Sequence, residues 1–191
     1  MKDRFVICGI AGSLRKQSVN AGLLRAAIEV CPGGIEIRPL EIADLPPYNA
    51  DLDPAGVPPV ARVIDAIAAA DALLIASPEY NFSIPGFLKN AIDWASMPPR
   101  RSVLRHKPVA VMGASSGKSG TMRAQLALRA ILSATESLVM LQPEIYIQNA
   151  VLQFDSDGSL VSPELRGEVR GVVDALRRWA HRVRDGSGPD L

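Results

Sequence analysis

The sequence predicts an α/β fold in which a doubly wound, five-stranded parallel sheet carries helices on both faces. Two observations predict it. Short apolar runs alternate with longer segments of helical periodicity along almost the whole chain, and these runs are close to continuously apolar. Strands that helices cover on both faces show this continuity, whereas half-exposed strands alternate between apolar and polar residues. With five such runs, the expected strand order is 2-1-3-4-5.

The first elements alternate regularly from residue 4 onward. An apolar run over 4–9 predicts the first strand, and a helix over 20–30 follows it. A short strand over 36–39 precedes a second helix over 60–70. The proline-rich stretch 46–59 between them is predicted to be an ordered loop, because periodic segments resume on both sides of it. The apolar residues of the second helix recur at helical spacing, namely Val60, Val63, Ile64 and Ile67.

The middle of the chain repeats the alternation. The run over 72–77 is almost uninterruptedly apolar and predicts a strand that is buried on both faces. A third helix is predicted over 85–94, opening with Pro85, a residue type that suits the first helical turn. A fourth strand over 108–113 and a helix over 120–133 follow.

The last part of the chain predicts a broken strand and a closing helix. Two apolar segments over 138–141 and 144–147 indicate one interrupted strand, and residues 163–183 have helical periodicity. We therefore expect one domain over residues 1–184. The polar and glycine-containing segment 185–191 is predicted to be a disordered tail.

The composition excludes several kinds of partner. A chain of 191 residues, about half of them apolar, can bury one sizeable core. Its formal net charge of +1 provides no electrostatic attraction for nucleic acid or an anionic membrane, and no apolar run approaches the roughly 20 residues of a membrane span. The two cysteines and two histidines are scattered, which disfavours a disulfide framework or a zinc site. We expect structural thiols in a reducing cytoplasm.

The loop after the first strand has the composition of an anion site. In a sheet of this order, ligands bind beyond the carboxyl ends of the strands, at the switch point between strands 1 and 3. Residues 12–20 place small polar side chains and backbone N–H groups at a helix N-terminus, where Arg15 can add a charged contact to a phosphate oxygen. The alternative is that Ser18 or Asn20 merely caps the helix while Arg15 is solvated. Gly9 and Gly12 do not make a G-x-G-x-x-G pattern, which disfavours a dinucleotide-binding turn.

The loop after the third strand is long and stiff. Residues 77–86 contain two prolines and a glycine, which restrict its course. Such a loop can direct backbone N–H groups at a planar heterocycle, against which Tyr80 or Phe82 can pack. Asn81 offers both a donor and an acceptor. The alternative is an ordinary strand-to-helix turn that happens to contain aromatic residues.

The loop after the fourth strand is rich in glycine and serine. Residues 113–120 end in a Gly-Lys-Ser sequence that looks like the end of a phosphate-binding P-loop. That motif needs a glycine at the position of Met112, so ATP or GTP binding is disfavoured. We predict instead a wall that lets a ring approach the backbone closely.

Three long segments carry a resemblance to a known family, and two shorter ones support it. The long segments are GSLRKQSVN (12–20), SPEYNFSIPGFLKNAIDWAS (77–96) and GASSGKSG followed by MRAQLALRAIL (113–132); the shorter ones are LPPYNADL (45–52) and FDSDGSL (154–160). Together they resemble the NADPH-dependent FMN reductase family, which includes quinone, chromate and azo-dye reductases. The resemblance covers residues 4–183, and its first two motifs are the more specific.

The resemblance implies a flavodoxin-like fold, bound FMN and roles for particular residues. The third loop looks one residue shorter than in some relatives and carries Lys118 and Ser119, which leaves open which serine contacts the flavin. In such proteins the helix that continues the second motif often lies at a subunit interface, which implies a homodimer or homotetramer; the residues concerned are Lys89, Asn90, Asp93 and Trp94. The implied ligands of the FMN phosphate are Ser13, Arg15, Ser18 and Asn20. The residues implied to border the isoalloxazine ring are Pro78, Glu79, Tyr80 and Asn81, with Ser115, Ser116 and Gly117 along its other edge.

The activity that the resemblance implies is NAD(P)H-dependent oxidoreduction. NAD(P)H would pass a hydride to FMN and leave, and a quinone, metal oxyanion, azo compound or flavin would take its place in a ping-pong cycle. The flavin carries this chemistry, so no side chain is assigned a catalytic role. NADH and NADPH stay open as donors, because no separate nucleotide motif is visible.

Two alternatives belong to other functional classes. The first is a flavodoxin-like electron carrier without NAD(P)H turnover. Such carriers tend to be acidic, and the near-neutral charge of this chain counts against it. The second is a binding protein that keeps the fold without a cofactor, which the intact phosphate-type and ring-type loops disfavour.

Overall fold

A computed structural model describes residues 4–98 and 101–184 of the chain. The strands are β1 (Phe5–Ala11), β2 (Ile35–Leu40), β3 (Ala72–Ala76), β4 (Pro108–Ala114), β5 (Leu138–Val139) and β6 (Ile145–Ile147). The helices are α1 (Val19–Glu29), α2 (Pro58–Ala69), α3 (Gly86–Ala95), α4 (Met122–Ala134) and α5 (Pro163–Arg184). The tail predicted over 185–191 lies outside the described residues. Within the described ranges, no helix is both long enough and apolar enough to cross a membrane.

The sheet confirms the predicted doubly wound, flavodoxin-like architecture. Its strands are all parallel and lie in the order β2-β1-β3-β4-β5. The predicted broken strand is also confirmed, because β5 and β6 are two short strands that both pair with β4. Leu138 lies opposite Pro108 at one end of β4, and Ile145 lies opposite Met112 near the other.

Most boundaries shift by one or two residues from the prediction, and two of these shifts have identifiable physical reasons. The first strand continues past Gly9 to Ala11, since the glycine serves close packing and does not form a turn: a Cβ there would lie 2.7 Å from Cδ1 of Leu24 in α1. The fourth helix begins at Met122 and not at Gly120. Gly120 has a φ of +59°, a left-handed conformation that cannot belong to a right-handed helix.

The sheet separates two hydrophobic cores. One core packs α1 and α5 against one face, and the other packs α2, α3 and α4 against the opposite face. Neighbouring residues of one strand serve different cores: Ile7 belongs to the first and Cys8 to the second. This is why the strands lack polar alternation, as the sequence indicated.

The carboxyl ends of the three central strands lie side by side. Ala11 of β1 is opposite Ala76 of β3, which in turn is opposite Met112 of β4. Gly12 N–H donates to the Ala76 carbonyl (2.7 Å), and Ser77 N–H donates to the Met112 carbonyl (3.0 Å). The three loops singled out in the sequence therefore begin at one edge of the sheet.

Candidate functional site

The first loop exposes most of its polar groups. Arg15 is exposed, Ser13 is half-buried, and the only contact between them is a long hydrogen bond of 3.5 Å from Arg15 N–H to Ser13 Oγ. Among the described residues, the Arg15 guanidinium and the backbone N–H groups of Val19 and Asn20 have no hydrogen-bonding partner. Unpaired N–H groups at the start of a helix, beside a guanidinium, form a donor set that suits a phosphate dianion.

Two other residues that the resemblance assigned to the phosphate use their side chains within the protein. Ser18 is the N-cap of α1, and its Oγ accepts a hydrogen bond from Ala21 N–H at 3.2 Å. Asn20 is buried, donates through Nδ2 to the Ala114 carbonyl (2.8 Å) and accepts from Ala114 N–H at Oδ1 (2.9 Å). The Asn20 amide thereby joins α1 to the end of β4, and the phosphate role of both residues stays a prediction.

The second loop folds into a strained two-residue turn. Tyr80 and Ser83 exchange two backbone hydrogen bonds of 2.9 Å, and the residues between them, Asn81 and Phe82, have φ values of +49° and +66°. Positive φ at both central positions is the pattern of a type I′ turn. Asparagine tolerates it, whereas an aromatic residue seldom adopts it. The turn holds Tyr80 and Phe82 outward, 42% and 67% exposed, while Pro78 before it is buried.

Glu79 joins this loop to the start of α4. Its carboxylate accepts hydrogen bonds from Arg123 N–H (3.0 Å), Ala124 N–H (3.2 Å) and Arg123 Nε (2.6 Å). The helix has no side-chain cap of its own, so Glu79 supplies it from a position 44 residues away. Burial raises the pKa of the Glu79 carboxyl, but the hydrogen bonds from Arg123 and Ala124 outweigh burial and hold the pKa below its ordinary value.

Arg123 connects Glu79 with two further residues. Its guanidinium carbon lies 3.9 Å from the centroid of the Phe82 ring, and its Nη2 donates to Ser119 Oγ at 2.9 Å. One side chain thus contacts the turn of the second loop and the end of the third. No role for Arg123 was predicted from the sequence. A signal was present, because a cation in the first turn of a helix faces the positive end of the helix dipole and indicates a carboxylate partner.

The third loop is held from within and leaves its tip open. Ser115 Oγ donates to the Gly120 carbonyl and accepts from Gly117 N–H at 3.2 Å, which fixes the turn, while Ser116 and Gly117 are exposed. Before the loop, a Cβ on Gly113 would lie 2.5 Å from the Ser77 carbonyl oxygen and would collide with the side chain of Thr121. Glycine therefore lets the second and third loops start in close contact.

Helix α3, which continues the second motif, forms hydrogen bonds with the loop that contains Pro46 and Tyr48. Asn90 accepts from Tyr48 N–H (2.7 Å) and donates to the Pro46 carbonyl (2.9 Å), to which Trp94 Nε1 also donates. Trp94 is fully buried, whereas Lys89 and Asp93 form an ion pair that is partly exposed. Asn90 and Trp94 thus act inside the subunit, whereas the Lys89–Asp93 pair is partly accessible.

The residues predicted for the site fall into two groups. Those whose functional groups face outward are Ser13, Arg15, Tyr80, Asn81, Ser116 and Gly117. The others hold the loops: Ser18, Asn20, Pro78, Glu79 and Ser115. Among the described residues, no group of acidic, histidine and cysteine side chains could hold a metal ion. The arrangement places phosphate-binding donors and a stiff, partly aromatic loop side by side, which fits a phosphorylated planar heterocycle.

Comparison with known proteins gives concordant results. The model of the NADPH-dependent FMN reductase family matches residues 6–151. An NAD(P)H-dependent FMN reductase of Pseudomonas aeruginosa is 43% identical over 96% of this chain and 100% of its own length. A 2-hydroxy-1,4-benzoquinone reductase of Burkholderia sp. is 41% identical over 94% of this chain and 96% of its own. The solved structure of a flavoenzyme NAD(P)H:(acceptor) oxidoreductase from Paracoccus denitrificans superposes with a TM-score of 0.84 at 38% identity, covering 93% of this chain and 97% of that one.

Proposed function

Because the chain belongs to the NADPH-dependent FMN reductase family and is an oxidoreductase that uses FMN and NAD(P)H, we propose that it reduces quinones in a ping-pong cycle. The reaction would take place where the three loops meet. The observation that carries the proposal is the combination of an open, unpaired donor set in the first loop with a second loop that internal contacts hold rigid. The choice of a quinone as acceptor rests on relatives whose names specify quinone reduction.

The residues of the site fit FMN in two separate ways. Ser13, Arg15 and the N–H groups that open α1 would hold the phosphate, since they are the unpaired donors of the first loop. The ring would be contacted by exposed residues of the other two loops. These are Tyr80 and Asn81 of the second loop and Ser116 of the third. When bound, FMN supplies the hydride acceptor and the store for two electrons.

The remaining residues position those that contact ligands. Glu79 and Arg123 keep the second loop against α4, so the ring would meet a surface that is already shaped. The backbone N–H groups of Asn81 and Ser116 have no acceptor among the described residues. They can donate to the edge of a ring that gains negative charge during reduction. No proton donor is required of any side chain.

The wider setting of the enzyme is part of the same proposal. We place it in the cytoplasm, because Cys8 and Cys31 are both free thiols. We take it to be a single domain, because its strands form one sheet. We also propose that it is a homodimer or homotetramer. Support comes from large apolar side chains that remain exposed around the site and on the adjoining surface, namely Phe82, Met122, Leu126, Val151 and Leu152.

One spectroscopic experiment tests the function. The protein is loaded with FMN, the flavin absorbance is recorded anaerobically, and NADH or NADPH is added before 1,4-benzoquinone. We expect the nucleotide alone to bleach the flavin band and the quinone to restore it, and we expect parallel double-reciprocal plots in steady state. A flavin that stays oxidised with both nucleotides would favour the electron carrier instead. A protein that binds no flavin would contradict both functions.

A further inference from the structure

A cavity lies beside the first loop, on the side away from the second and third loops. Its volume is about 410 Å³, within the range of ligand pockets. It opens beyond the carboxyl ends of β1 and β2, between α1 and the segment that follows β2. The loops assigned to the FMN ring follow β3 and β4, on the opposite side of β1. The cavity is therefore separate from the proposed ring site, and only the first loop contributes to both.

The lining of this cavity combines an apolar surface with free charges. Leu24 and Leu40 are buried beneath it, and Ile28 is 37% exposed at its side. Arg15 and Glu41 line it as well, and both residues are exposed. Among the described residues, neither the Arg15 guanidinium nor the Glu41 carboxylate has an ion-pair partner. Such a lining suits a ligand with a flat apolar part, hydroxyl groups and negative charge.

The position of Glu41 narrows the choice of ligand. Glu41 directly follows the last residue of β2, beside the anion loop that follows β1. In dinucleotide-binding Rossmann folds, whose glycine-rich turn this chain lacks, an acidic residue accepts from the ribose 2′-hydroxyl. The Glu41 carboxylate at the end of β2 can accept from a ribose diol by the same chemistry. A phosphate on the ribose would be repelled by the same carboxylate. Arg25, the other cation of the lining, already donates to the carbonyls of Asp157 and Gly158.

We propose, on the basis of the function proposed above, that this cavity binds the adenosine diphosphate half of the nicotinamide dinucleotide and that Glu41 makes NADH the preferred donor. The adenine would lie on the apolar surface of Leu24, Ile28 and Leu40. Arg15, in the loop between cavity and ring site, would face the pyrophosphate. A guanidinium has five N–H donors, so it can serve this group and the neighbouring FMN phosphate together.

The sheet geometry is compatible with one molecule reaching both places. Neighbouring strands are about 4.8 Å apart, so the ends of β2 and β4 are separated by three intervals, or about 14 Å. A dinucleotide carries its two bases at opposite ends of a ribose–pyrophosphate–ribose chain. With the pyrophosphate over the first loop, the nicotinamide end extends toward the loops after β3 and β4.

The test uses the FMN-loaded full-length protein and two variants. Ile28→Trp fills the cavity from the surface of α1, and Glu41→Gln removes the charge at the ribose position. Glu168→Gln, an exposed carboxylate on α5 outside the cavity lining, is the matched control. Binding of ADP-ribose is measured by calorimetry, its inhibition of NADH oxidation by steady-state kinetics, and kcat/KM is determined for NADH and NADPH.

We expect ADP-ribose to bind the parent protein and to compete with NADH. Ile28→Trp should weaken ADP-ribose binding and raise the KM for NADH by about tenfold while FMN affinity is unchanged, and Glu41→Gln should lower the preference for NADH over NADPH by about tenfold. Glu168→Gln should change none of these values.

Several outcomes would overturn the inference. NADH could reduce FMN without competition from ADP-ribose, or both variants could behave like the parent. Either result would show that the cavity does not bind the dinucleotide, while the proposed function would stand. Calorimetric binding of ADP-ribose without competition against NADH would show an unrelated nucleotide site and contradict the inference too. Conversely, ADP-ribose binding that Ile28→Trp abolishes, in a protein whose flavin neither nucleotide reduces, would support the cavity and refute the function.

Discussion

The first and second loops of the site lie side by side but are built in opposite ways. In the first, the only side-chain hydrogen bond that the described residues show within 12–17 is the long one to Ser13 Oγ, and the Arg15 guanidinium has no partner there. Only the end of this loop is anchored, through the Ser18 cap and the Asn20 amide. In the second, the Glu79 carboxylate is fully occupied and two backbone hydrogen bonds close the turn. A charged phosphate can order flexible donors when it arrives, because charge-assisted hydrogen bonds are strong. A ring that is recognised by shape gains more from a surface ordered beforehand.

The rigidity of the second loop has an energetic cost. A non-glycine residue in the left-handed region costs on the order of 1–3 kcal/mol, and Phe82 is such a residue. The Arg123 guanidinium over its ring offsets part of that cost, by about 0.5–1 kcal/mol at an exposed site. The loop therefore depends on contacts from α4 for its shape, and the first loop does not. Substitutions in the two loops should therefore differ in their effect on the stability of the ligand-free protein.

The largest loss is expected from Asn20→Leu, which removes the anchor of α1 on β4. The substitution leaves the buried N–H and carbonyl of Ala114 without their side-chain partner, and each unsatisfied group costs about 1–3 kcal/mol. We expect a loss of about 3 kcal/mol in the free energy of unfolding, measured by urea denaturation. Gln17→Leu, in the exposed part of the same loop, is the control and should stay within about 0.5 kcal/mol of the parent. Equal effects of the two would contradict the contrast between anchor and open loop.

A smaller loss is expected from Glu79→Gln, because the amide keeps one acceptor but loses the charge. We expect about 1–2 kcal/mol, since hydrogen bonds to charged groups contribute roughly 1.5–3 kcal/mol and part of the contact survives. The pKa of Glu79 is lowered on folding, so its contribution is complete above the ordinary carboxyl pKa and disappears as the pH falls through the lower, folded value. The difference between parent and variant should therefore shrink on acidification.

The matched control for this pH dependence is Glu36→Gln. Glu36 also pairs with an arginine, Arg38, at 2.8 Å, and its pKa is lowered mainly by that hydrogen bond. The pair lies on the surface, where such ion pairs contribute little. Thermal midpoints of Glu36→Gln should therefore stay much closer to those of the parent than the midpoints of Glu79→Gln do, at neutral as at acidic pH. A Glu79→Gln variant that did the same would show that the second loop is not held by its carboxylate.

A still smaller effect, of either sign, is expected from Phe82→Gly. The glycine relieves the left-handed strain but loses the contact with Arg123, so the two changes oppose each other and the unfolding free energy should move by less than about 1 kcal/mol. A more specific measurement is hydrogen exchange of the backbone amides in the turn itself. Amide exchange at Ser83, whose N–H donates to Tyr80, should become faster if the aromatic–guanidinium contact stabilises the turn. Unchanged exchange would assign the rigidity to Glu79 alone.

The smallest effect on stability is expected from Arg15→Ala, because the guanidinium has no partner to lose. The ligand-free unfolding free energy should stay within about 0.5 kcal/mol of the parent, while FMN affinity falls by about tenfold or more. Fluorescence titration of FMN into the apoprotein measures the second quantity. A variant that binds FMN as tightly as the parent would contradict the assignment of the phosphate to the first loop.

The sequence predicts the fold, and which loops meet at one edge of the sheet, better than it predicts the contacts that each side chain makes. Strands and helices follow from local periodicity, and the switch point follows from their order, so the three loops could be found in advance. The partners of Asn20 and Glu79 are 94 and 44 residues away, and nothing local indicates them. Serine and asparagine suit a phosphate and glutamate suits a ring edge, but all three suit a helix terminus equally well. Arg123 in the first turn of α4 indicated a carboxylate partner, but the local sequence did not indicate that this partner is Glu79.

The interruption between β5 and β6 has a consequence for how copies of this protein can meet. An open sheet edge is a template for pairing with another chain and for aggregation. Here one edge is formed by two strands of two and three residues, and the other, β2, carries Pro39, which has no N–H to offer a further strand. Both edges are thereby blunted against extension of the sheet from one molecule into the next. Association between copies is left to helix faces and loops, which are also the surfaces that surround the site.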